Sequence, residues 1–115
     1  MAMASGQGEF KIFGSEYPTP DGTCVRDYIH VCDLAEAHLL GLEWTQAGDR
    51  SRVFNLGNGR GYSNLEVVHM CAEITGHRVE IVRGPRRPGD AATLVAASER
   101  ATRELGWRPE RSALA

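Results

Sequence analysis

Residues 17–33 read Y-P-T-P-D-G-T-C-V-R-D-Y-I-H-V-C-D, a turn followed by an extended segment. The first half carries four turn-forming residues, Pro18, Pro20, Asp21 and Gly22. Proline presets φ, aspartate hydrogen-bonds the backbone that follows it, and glycine takes positive φ, so this composition predicts a tight loop. The β-branched and aromatic residues that come next predict a strand over residues 25–31.

Arg26 and Asp27 lie at the start of this predicted strand, directly after the loop. A loop held by two prolines can present the guanidinium group of Arg26 at a fixed place. Guanidinium suits two-pronged contact with a phosphate or a carboxylate. The alternative is a solvated Arg26–Asp27 charge pair beside a turn, and the spacing of the residues leaves both interpretations open.

The composition of the chain is that of an ordinary globular domain. It has 115 residues, of which 42% are hydrophobic and 24% are charged, so it is one domain or a piece of one. Its formal net charge of −2 favours neither a nucleic-acid nor an anionic-membrane partner. No apolar run approaches the roughly 20 residues that a membrane-spanning helix needs.

The first eight residues, M-A-M-A-S-G-Q-G, lack the basic start and apolar stretch of a signal peptide. We expect residues 1–8 to be a start segment, a cloning remnant or disordered, and residues 9–115 to form the folded part. The three cysteines (Cys24, Cys32 and Cys71) are odd in number and lack metal-site spacing, which predicts reduced thiols in a cytoplasmic protein. The four histidines form no H-x-x-x-H pair, so we expect no metal site.

Five short strands are predicted from β-branched and aromatic runs: residues 10–13, 25–31, 52–56, 79–82 and 94–96. Asp33 is the predicted N-cap of a helix that runs to about Ala47. Its apolar residues Leu34, Ala37, Leu40 and Trp44 recur at helical spacing. Together these patterns predict an α/β fold.

Two further helices are predicted from their caps. Ser63 and Glu66 form the pattern of a capping box, and Gly76 ends that helix, whose predicted apolar face is Leu65, Val68, Cys71, Ala72 and Ile74. Ser98 is the predicted cap of a helix through Leu105. Ser112 resembles the cap of one more helix.

The glycine-rich run at residues 57–61, G-N-G-R-G, follows the predicted strand at 52–56. A dinucleotide-binding fingerprint requires G-x-G-x-x-G. Tyr62 stands where the third glycine would fall, and Asn64 stands there if the count begins at Gly59. The run therefore favours a strand-to-helix turn over a cofactor site.

A second turn, R-R-P-G-D at residues 86–90, carries arginines and an aspartate. With Arg26 it suggests a clamp for an anionic ligand with hydroxyl groups, because guanidinium binds diphosphate and carboxylate binds ribose hydroxyls. The alternative is an ordinary exposed basic turn.

Four separated motifs resemble the UDP-glucose 4-epimerases of the extended short-chain dehydrogenase/reductase family. They are I-F-G at 12–14, Y-P-T-P-D-G-T-C-V-R-D-Y-I-H-V at 17–31, F-N-L-G-N-G-R-G at 54–61, and R-R-P-G-D at 86–90 with E-L-G-W-R-P at 104–109. The resemblance spans residues 10–111. It implies an α/β fold of mixed helices and short strands, the C-terminal substrate-binding part of an extended short-chain dehydrogenase with the Rossmann half missing.

The resemblance also implies a UDP-binding site formed by Lys11, Ile12, Phe13, Arg26, Tyr28, Arg87 and Asp90. The segment 11–13 would lie along the uracil and bond it partly through backbone groups. Arg26 and Arg87 would hold the diphosphate, and Asp90 the uridine ribose. Tyr28 is a weaker candidate for the same site. Leu94 would border the sugar pocket.

The parts of the family that carry out the chemistry have no counterpart in this sequence. There is no Tyr-x-x-x-Lys pair, and Lys11 is the only lysine. The resemblance implies NAD in the parent enzyme, with no cofactor and no catalytic residue expected in this chain alone. Two alternatives remain open: a fragment of another nucleotide-sugar epimerase, dehydratase or decarboxylase, and a non-enzymatic nucleotide-binding module.

A partner is expected as well as a ligand. In the family the strand equivalent to residues 53–56 joins the parallel sheet of the Rossmann half, and the helix from Asp33 packs against it. Without that sheet, a strand edge and an apolar helix face would be exposed. We therefore expect a homodimer or a swapped assembly.

Overall fold

The computed structural model describes residues 9–48 and 51–111, which fall into two compact units. The first unit comprises the described residues up to Arg26 together with Tyr62–Leu94, and the second comprises Asp27–Gly61 and the residues from Val95 onward. The predictions for residues 1–8 and for Ser112 lie outside the described residues. The elements in chain order are β1 (Glu9–Phe13), β2 (Val25–Asp27), α1 (Val31–Gln46), β3 (Gly61–Ser63), α2 (Asn64–Thr75), β4 (Glu80–Gly84), β5 (Thr93–Leu94) and α3 (Glu99–Leu105).

In the first unit, β1 and β4 form a parallel pair in which Phe13 lies opposite Gly84. The Gly14 amide then donates a 2.9 Å hydrogen bond to the Gly84 carbonyl and extends the pairing past the strand. Ile12 is 2% exposed and faces the core. The predicted strand at 10–13 is confirmed, and the one predicted at 79–82 is found slightly further along as β4.

A three-stranded sheet in the order β3-β2-β5 makes up the rest of the strand structure. In it, Val25 pairs with Thr93 and Arg26 with Leu94, in parallel. The predicted strand at 94–96 is therefore found at Thr93–Leu94.

The expected strand over 25–31 is wrong beyond Asp27, and so is the assignment of Asp33 as N-cap. His30 caps α1 instead, because its Nδ1 accepts a 3.1 Å hydrogen bond from the Cys32 amide. The helix thus begins at Val31, and Asp33 lies in its first turn with its side chain fully buried.

The second helix follows its predicted cap. The Glu66 amide donates to Ser63 Oγ at 3.0 Å, and the Ser63 amide donates to Glu66 Oε2 at 2.6 Å, which completes the capping box. Val68 is 1% exposed, whereas Ile74 is 71% exposed. Ile74 lies six residues after Val68, a rotation of roughly 240° on a helix of 3.6 residues per turn, so its assignment to the apolar face is wrong.

The core of the second unit lies between α1 and α3. Trp107 and Ala101 are fully buried, and Ala37 of α1 packs with them. The indole Nε1 of Trp107 donates a 2.8 Å hydrogen bond to the Asp33 carbonyl, which connects the second residue after α3 to the first turn of α1. Both predicted helices are found, although α1 begins two residues before the predicted N-cap Asp33 and the Ser98 side chain makes no capping hydrogen bond to α3. No helix among the residues described is long and apolar enough to cross a membrane.

The strand predicted at 52–56 is wrong: the described residues from 51 to 60 contain no strand. A strand needs a neighbour to take its backbone hydrogen bonds. Here the Val53 carbonyl accepts a 3.3 Å hydrogen bond from the Arg100 side chain. Phe54 packs edge-on against Trp44, with 5.5 Å between ring centroids. Side-chain packing therefore holds this segment.

Candidate functional site

The end of β1 presents two of its predicted ligand-binding side chains on one face. Alternate residues of a strand point the same way, which places Lys11 and Phe13 together and Ile12 on the opposite, buried face. The Lys11 ammonium lies 5.4 Å from the centroid of the Phe13 ring. Since the Ile12 side chain belongs to the core, only its backbone remains for a ligand.

Arg26 is held by the chain on both sides of it. Its Nη1 donates to the Val25 carbonyl at 2.8 Å and to the Ala91 carbonyl at 2.9 Å. Its Nη2 lies 3.6 Å from Oδ1 of Asp90. The side chain is 24% exposed, so Arg26 is fixed in place with part of its guanidinium group open to solvent.

Asp90 receives a second arginine on its other oxygen. Nε of Arg87 donates to Oδ2 of Asp90 at 2.9 Å. The Arg87 guanidinium also stacks over the Phe13 ring, 4.8 Å from the ring centroid, and its side chain is 59% exposed. The structure thus brings together four of the predicted residues, Phe13, Arg26, Arg87 and Asp90, as one cluster in the first unit.

Two other predicted residues lie outside this cluster. Leu94 is the strand partner of Arg26 and is 56% exposed. Tyr28 belongs to the second unit, where its carbonyl accepts a 3.4 Å hydrogen bond from the Asn58 side chain. Their roles toward a ligand stay predictions.

Asp27 does not pair with Arg26 and serves the second unit instead. Its Oδ1 accepts from the Asn58 amide at 2.8 Å and its Oδ2 from the Ala96 amide at 3.1 Å. Gly57 is needed beside it, because a Cβ there would lie 2.7 Å from the Cβ of Ala96. The Asp27 carboxylate therefore binds the glycine-rich turn internally. This use of the Asn58 amide supports the interpretation of residues 57–61 as a structural turn.

The loop between β1 and β2 is anchored by Asp21. As predicted, this residue hydrogen-bonds the backbone ahead of it, with the Thr23 amide donating to Oδ1 at 2.8 Å. The Thr23 hydroxyl donates to the same oxygen, and the Ser63 hydroxyl donates to Oδ2. Partial burial alone would raise the pKa of Asp21, but the hydrogen bonds from Ser63 and Thr23 outweigh it and lower the pKa below its ordinary value.

Sequence reasoning missed a second stack beside the cluster. The Arg86 guanidinium lies over the Tyr17 ring, 4.0 Å from its centroid. The only signal in the sequence is the doubled arginine of R-R-P-G-D, because contact with a residue about 70 positions earlier leaves no periodic pattern. The sequence predicts Asp21 only as a turn residue, and its contact with Ser63 across 42 positions likewise leaves no sequence pattern.

Open cavities lie elsewhere, against α3 in the second unit. They measure about 370 and 340 Å³ and share Glu99 and Arg103 among their lining residues. None of the predicted ligand-binding residues lines them. Their walls combine a carboxylate with arginines, which gives them no clear preference for an anion. The described residues also contain no group of three or more histidine, cysteine or acidic side chains that could hold a metal ion.

Comparison of the amino-acid sequence with known proteins finds one family and several related enzymes. The NAD dependent epimerase/dehydratase family matches residues 1–57. The UDP-glucose 4-epimerase of Corynebacterium glutamicum is 58% identical over 115 residues, covering 99% of this chain and 35% of that protein. The enzyme of Bacillus subtilis is 48% identical over 103 residues, covering 90% of this chain and 30% of that protein.

Solved structures of UDP-glucose 4-epimerases are also similar to this chain. The UDP-glucose 4-epimerase of Stenotrophomonas maltophila, with bound NAD and formylated UDP-arabinopyranose, superposes with a TM-score of 0.89 at 46% identity, covering 98% of this chain and 34% of that one. The enzyme of Bifidobacterium longum in complex with NAD+ and UDP superposes with a TM-score of 0.84 at 44% identity, covering 94% of this chain and 32% of that one.

These similarities concern part of each relative. The chain spans about a third of the length of the curated relatives that it matches. Within that third, the similarity in sequence (58% identity) and in backbone structure (TM-score 0.88) extends over nearly all of this chain. The chain is therefore similar to about one third of the UDP-glucose 4-epimerases, and its residues 1–57 match the NAD dependent epimerase/dehydratase family.

Proposed function

We propose that this chain is the UDP-sugar-binding segment of a UDP-glucose 4-epimerase, which interconverts UDP-glucose and UDP-galactose. The observation that carries the proposal is the convergence of Arg26 and Arg87 on the Asp90 carboxylate, at 3.6 and 2.9 Å. Two cations and one anion within reach of one another match a ligand that has both a diphosphate and neighbouring hydroxyl groups.

Arg87 and Arg26 have different capacities for that ligand. Asp90 engages Nε of Arg87, which leaves the two amino groups of this exposed guanidinium as donors for phosphate. Nη1 of Arg26 is already committed to two carbonyls, so Arg26 contributes its charge and its remaining donors. Asp90 can accept hydrogen bonds from ribose hydroxyls while it still contacts both arginines.

The base would lie along the end of β1. The Phe13 ring and the Lys11 stem provide a flat, partly apolar surface, and the backbone of residues 11–13 can supply hydrogen bonds to uracil. The UDP in the Bifidobacterium longum structure supports this class of ligand, because that protein shares 44% of its residues with this chain over the aligned region. Leu94 then borders the sugar.

Epimerisation itself is proposed for the whole enzyme. NAD, when bound there, accepts a hydride from C4 of the sugar and returns it to the other face, with help from a tuned acid–base group. The sequence of this chain contains neither a G-x-G-x-x-G dinucleotide turn nor a Tyr-x-x-x-Lys pair. We expect this chain alone to bind a UDP-sugar without converting it.

The test is a titration of isotope-labelled chain with UDP, followed by NMR. Amides around Phe13, Arg26 and Asp90 should shift together and saturate, and Arg87→Ala should weaken binding by about tenfold or more, since a charge-assisted hydrogen bond is worth roughly 1.5–3 kcal/mol. Arg83→Ala removes an exposed arginine of β4 and should leave the affinity unchanged. Absence of any shift at millimolar UDP, or equal loss in both variants, would overturn the proposal.

The same titration separates the two alternative functions. Binding of UDP in preference to ADP fits a uridine-specific site, whereas equal binding of both favours a general nucleotide-binding module. UDP-glucose and another UDP-sugar such as UDP-glucuronic acid, compared with UDP alone, then distinguish a 4-epimerase segment from that of a different nucleotide-sugar enzyme.

We also propose that the chain self-associates, in the cytoplasm, as a homodimer or a swapped assembly. Val31, Leu39 and Leu42 on α1 are 72%, 63% and 56% exposed, and Val53 is 77% exposed. Apolar side chains that are close together on a surface favour association. Light scattering should give a mass above that of one chain at high protein concentration, and a monodisperse monomer would contradict the proposal.

A further inference from the structure

We propose that Arg86 and Tyr17 form a positioning stack that orients Arg87 and Asp90 for the ligand, without Arg86 binding the ligand itself. This inference rests on the proposed function, because it names the residues that prepare the same site. It concerns only contacts within the first unit.

The doubled arginine of the R-R-P-G-D turn sits on two aromatic rings. The Arg86 guanidinium lies 4.0 Å from the centroid of the Tyr17 ring, and the Arg87 guanidinium lies 4.8 Å from that of Phe13. A guanidinium group within about 6 Å of a ring centroid is attracted by the face of the ring. Two consecutive residues are thus fixed on two rings that are four positions apart in the sequence.

Tyr17 provides a rigid base for this stack. The residue is 4% exposed, and its buried hydroxyl has no hydrogen-bond partner among the residues that the structure describes. A buried tyrosine usually satisfies its hydroxyl. The contribution of Tyr17 to the stack is therefore the flat face of the ring that it offers to Arg86.

Gly14 makes the close approach possible. A Cβ at this position would lie 2.7 Å from Cγ of Arg86 and would overlap the Tyr17 ring. The residue also has a φ of +84°, which side chains other than glycine rarely adopt. The absence of a side chain at Gly14 therefore leaves room for the Arg86 side chain to reach the Tyr17 ring.

The Arg86–Tyr17 stack adds to the contacts that Arg87 and Asp90 make in this turn. Residues 85–90 belong to neither a helix nor a strand, and within them the Asp90 amide donates a 3.3 Å hydrogen bond to the Arg87 carbonyl. The Arg86–Tyr17 stack fixes the residue next to Arg87. Consequently the stack limits the orientations of the Arg87 side chain, and we infer that it favours those in which Nε donates to Asp90.

The test uses the full chain and two readouts, the UDP affinity and the Nε–Hε NMR signal of Arg87. Arg86→Ala should move the Arg87 signal and weaken UDP binding about two- to fivefold, the range that corresponds to an exposed cation–π contact. Arg86→Lys keeps a cation and should recover part of the loss. Tyr17→Phe keeps the ring and should leave both readouts close to those of the wild type.

Three results would overturn the inference. An unmoved Arg87 signal in Arg86→Ala would show that the stack does not position its neighbour. A loss of affinity as large as that of Arg87→Ala would make Arg86 a direct ligand. A Tyr17→Phe variant as weak as Arg86→Ala would transfer the role from the ring to the hydroxyl. If the wild type fails to bind UDP, the proposed function fails, while the Arg87 signal still tests the stack.

Discussion

Nε of Arg87 donates a 2.9 Å hydrogen bond to Oδ2 of Asp90, so the residue expected to hold phosphate and the residue expected to hold ribose contact each other. Arg26 lies 3.6 Å from the other oxygen of the same carboxylate. The negative charge of Asp90 therefore restrains two arginines and partly offsets their attraction for an anion. If these residues bind UDP as proposed, we expect recognition of the nucleoside and recognition of the diphosphate to be coupled through this one side chain.

Asp90→Asn should affect the binding of the nucleoside and the binding of the diphosphate differently. The amide keeps the shape of the side chain but loses its charge, so UDP should bind roughly tenfold or more weakly, as expected for loss of a charge-assisted hydrogen bond of about 1.5–3 kcal/mol. Inorganic diphosphate, which has no ribose, should bind as well as or better than it does to the wild type. Calorimetric titration with each ligand measures both. Equal weakening of UDP and diphosphate would contradict the assignment of Asp90 to the ribose.

Asp27→Asn should loosen the glycine-rich turn of the second unit. The carboxylate accepts amide hydrogen bonds from Asn58 and Ala96, and an asparagine side chain offers only one oxygen for the two. We expect a loss of about 1–3 kcal/mol in the free energy of unfolding, the cost of leaving a partly buried amide donor without its acceptor.

Urea unfolding measures that loss, and amide hydrogen exchange locates it. Exchange should accelerate at Asn58 or Ala96 before it does elsewhere. Glu36→Gln makes the same chemical change on the exposed face of α1 and should leave the stability within about 0.5 kcal/mol, as is usual for surface substitutions. Similar losses in both variants would remove the special role of Asp27.

Asp21 should make the stability of the chain depend on acid pH. The hydrogen bonds from Ser63 and Thr23 hold its pKa in the folded chain below the ordinary value of 3.8. The folded state then binds fewer protons than the unfolded state in mild acid, so the contribution of Asp21 to stability is fully present above pH 3.8 and is lost as the pH falls through the lower, folded pKa.

Comparison with Asp21→Asn isolates this contribution. The difference in unfolding free energy between wild type and variant should be largest near neutral pH and should narrow as the pH falls below about 4. Glu16→Gln, which changes an exposed side chain of the same loop, is the matched control. A difference that is constant from pH 7 to pH 3 would show that the charge of Asp21 does not carry its effect.

The sequence predicts contacts between residues a few positions apart better than contacts between residues that are distant in the chain. Local signals were reliable: the Ser63–Glu66 capping box and the turn around Asp21 form as predicted, because both depend on residues a few positions apart. The start of α1 was misplaced by a competing local signal, since His30 caps the helix in place of Asp33. Residues 52–56 have strand-like composition but form no strand among the described residues, because composition supplies no pairing partner.

The same limit applies to the candidate site. The family resemblance predicts Arg26, Arg87 and Asp90 as site residues. The Arg87–Asp90 contact is local, whereas the contacts of Arg26 with Asp90 and Ala91 span more than 60 positions. The Arg86–Tyr17 stack and the bonds of Asp27 to Asn58 and Ala96 are of the same long-range kind. Nothing in the spacing of these residues indicates which side chain meets which.

Trp107→Phe should destabilise the second unit more than its small change in size suggests. The indole is fully buried, and its Nε1 donates a 2.8 Å hydrogen bond to the Asp33 carbonyl. Phenylalanine cannot donate this bond, so the substitution leaves a buried carbonyl without that donor and a void where the larger ring was. We expect a loss of about 2–4 kcal/mol in the free energy of unfolding, from the two effects together.

Trp44→Phe is the matched control because that ring is half-buried, and its smaller void should cost about 1 kcal/mol. Urea unfolding followed by circular dichroism compares the two variants, and an equal loss in both would mean that the hydrogen bond from Trp107 to Asp33 adds nothing to the burial of the ring.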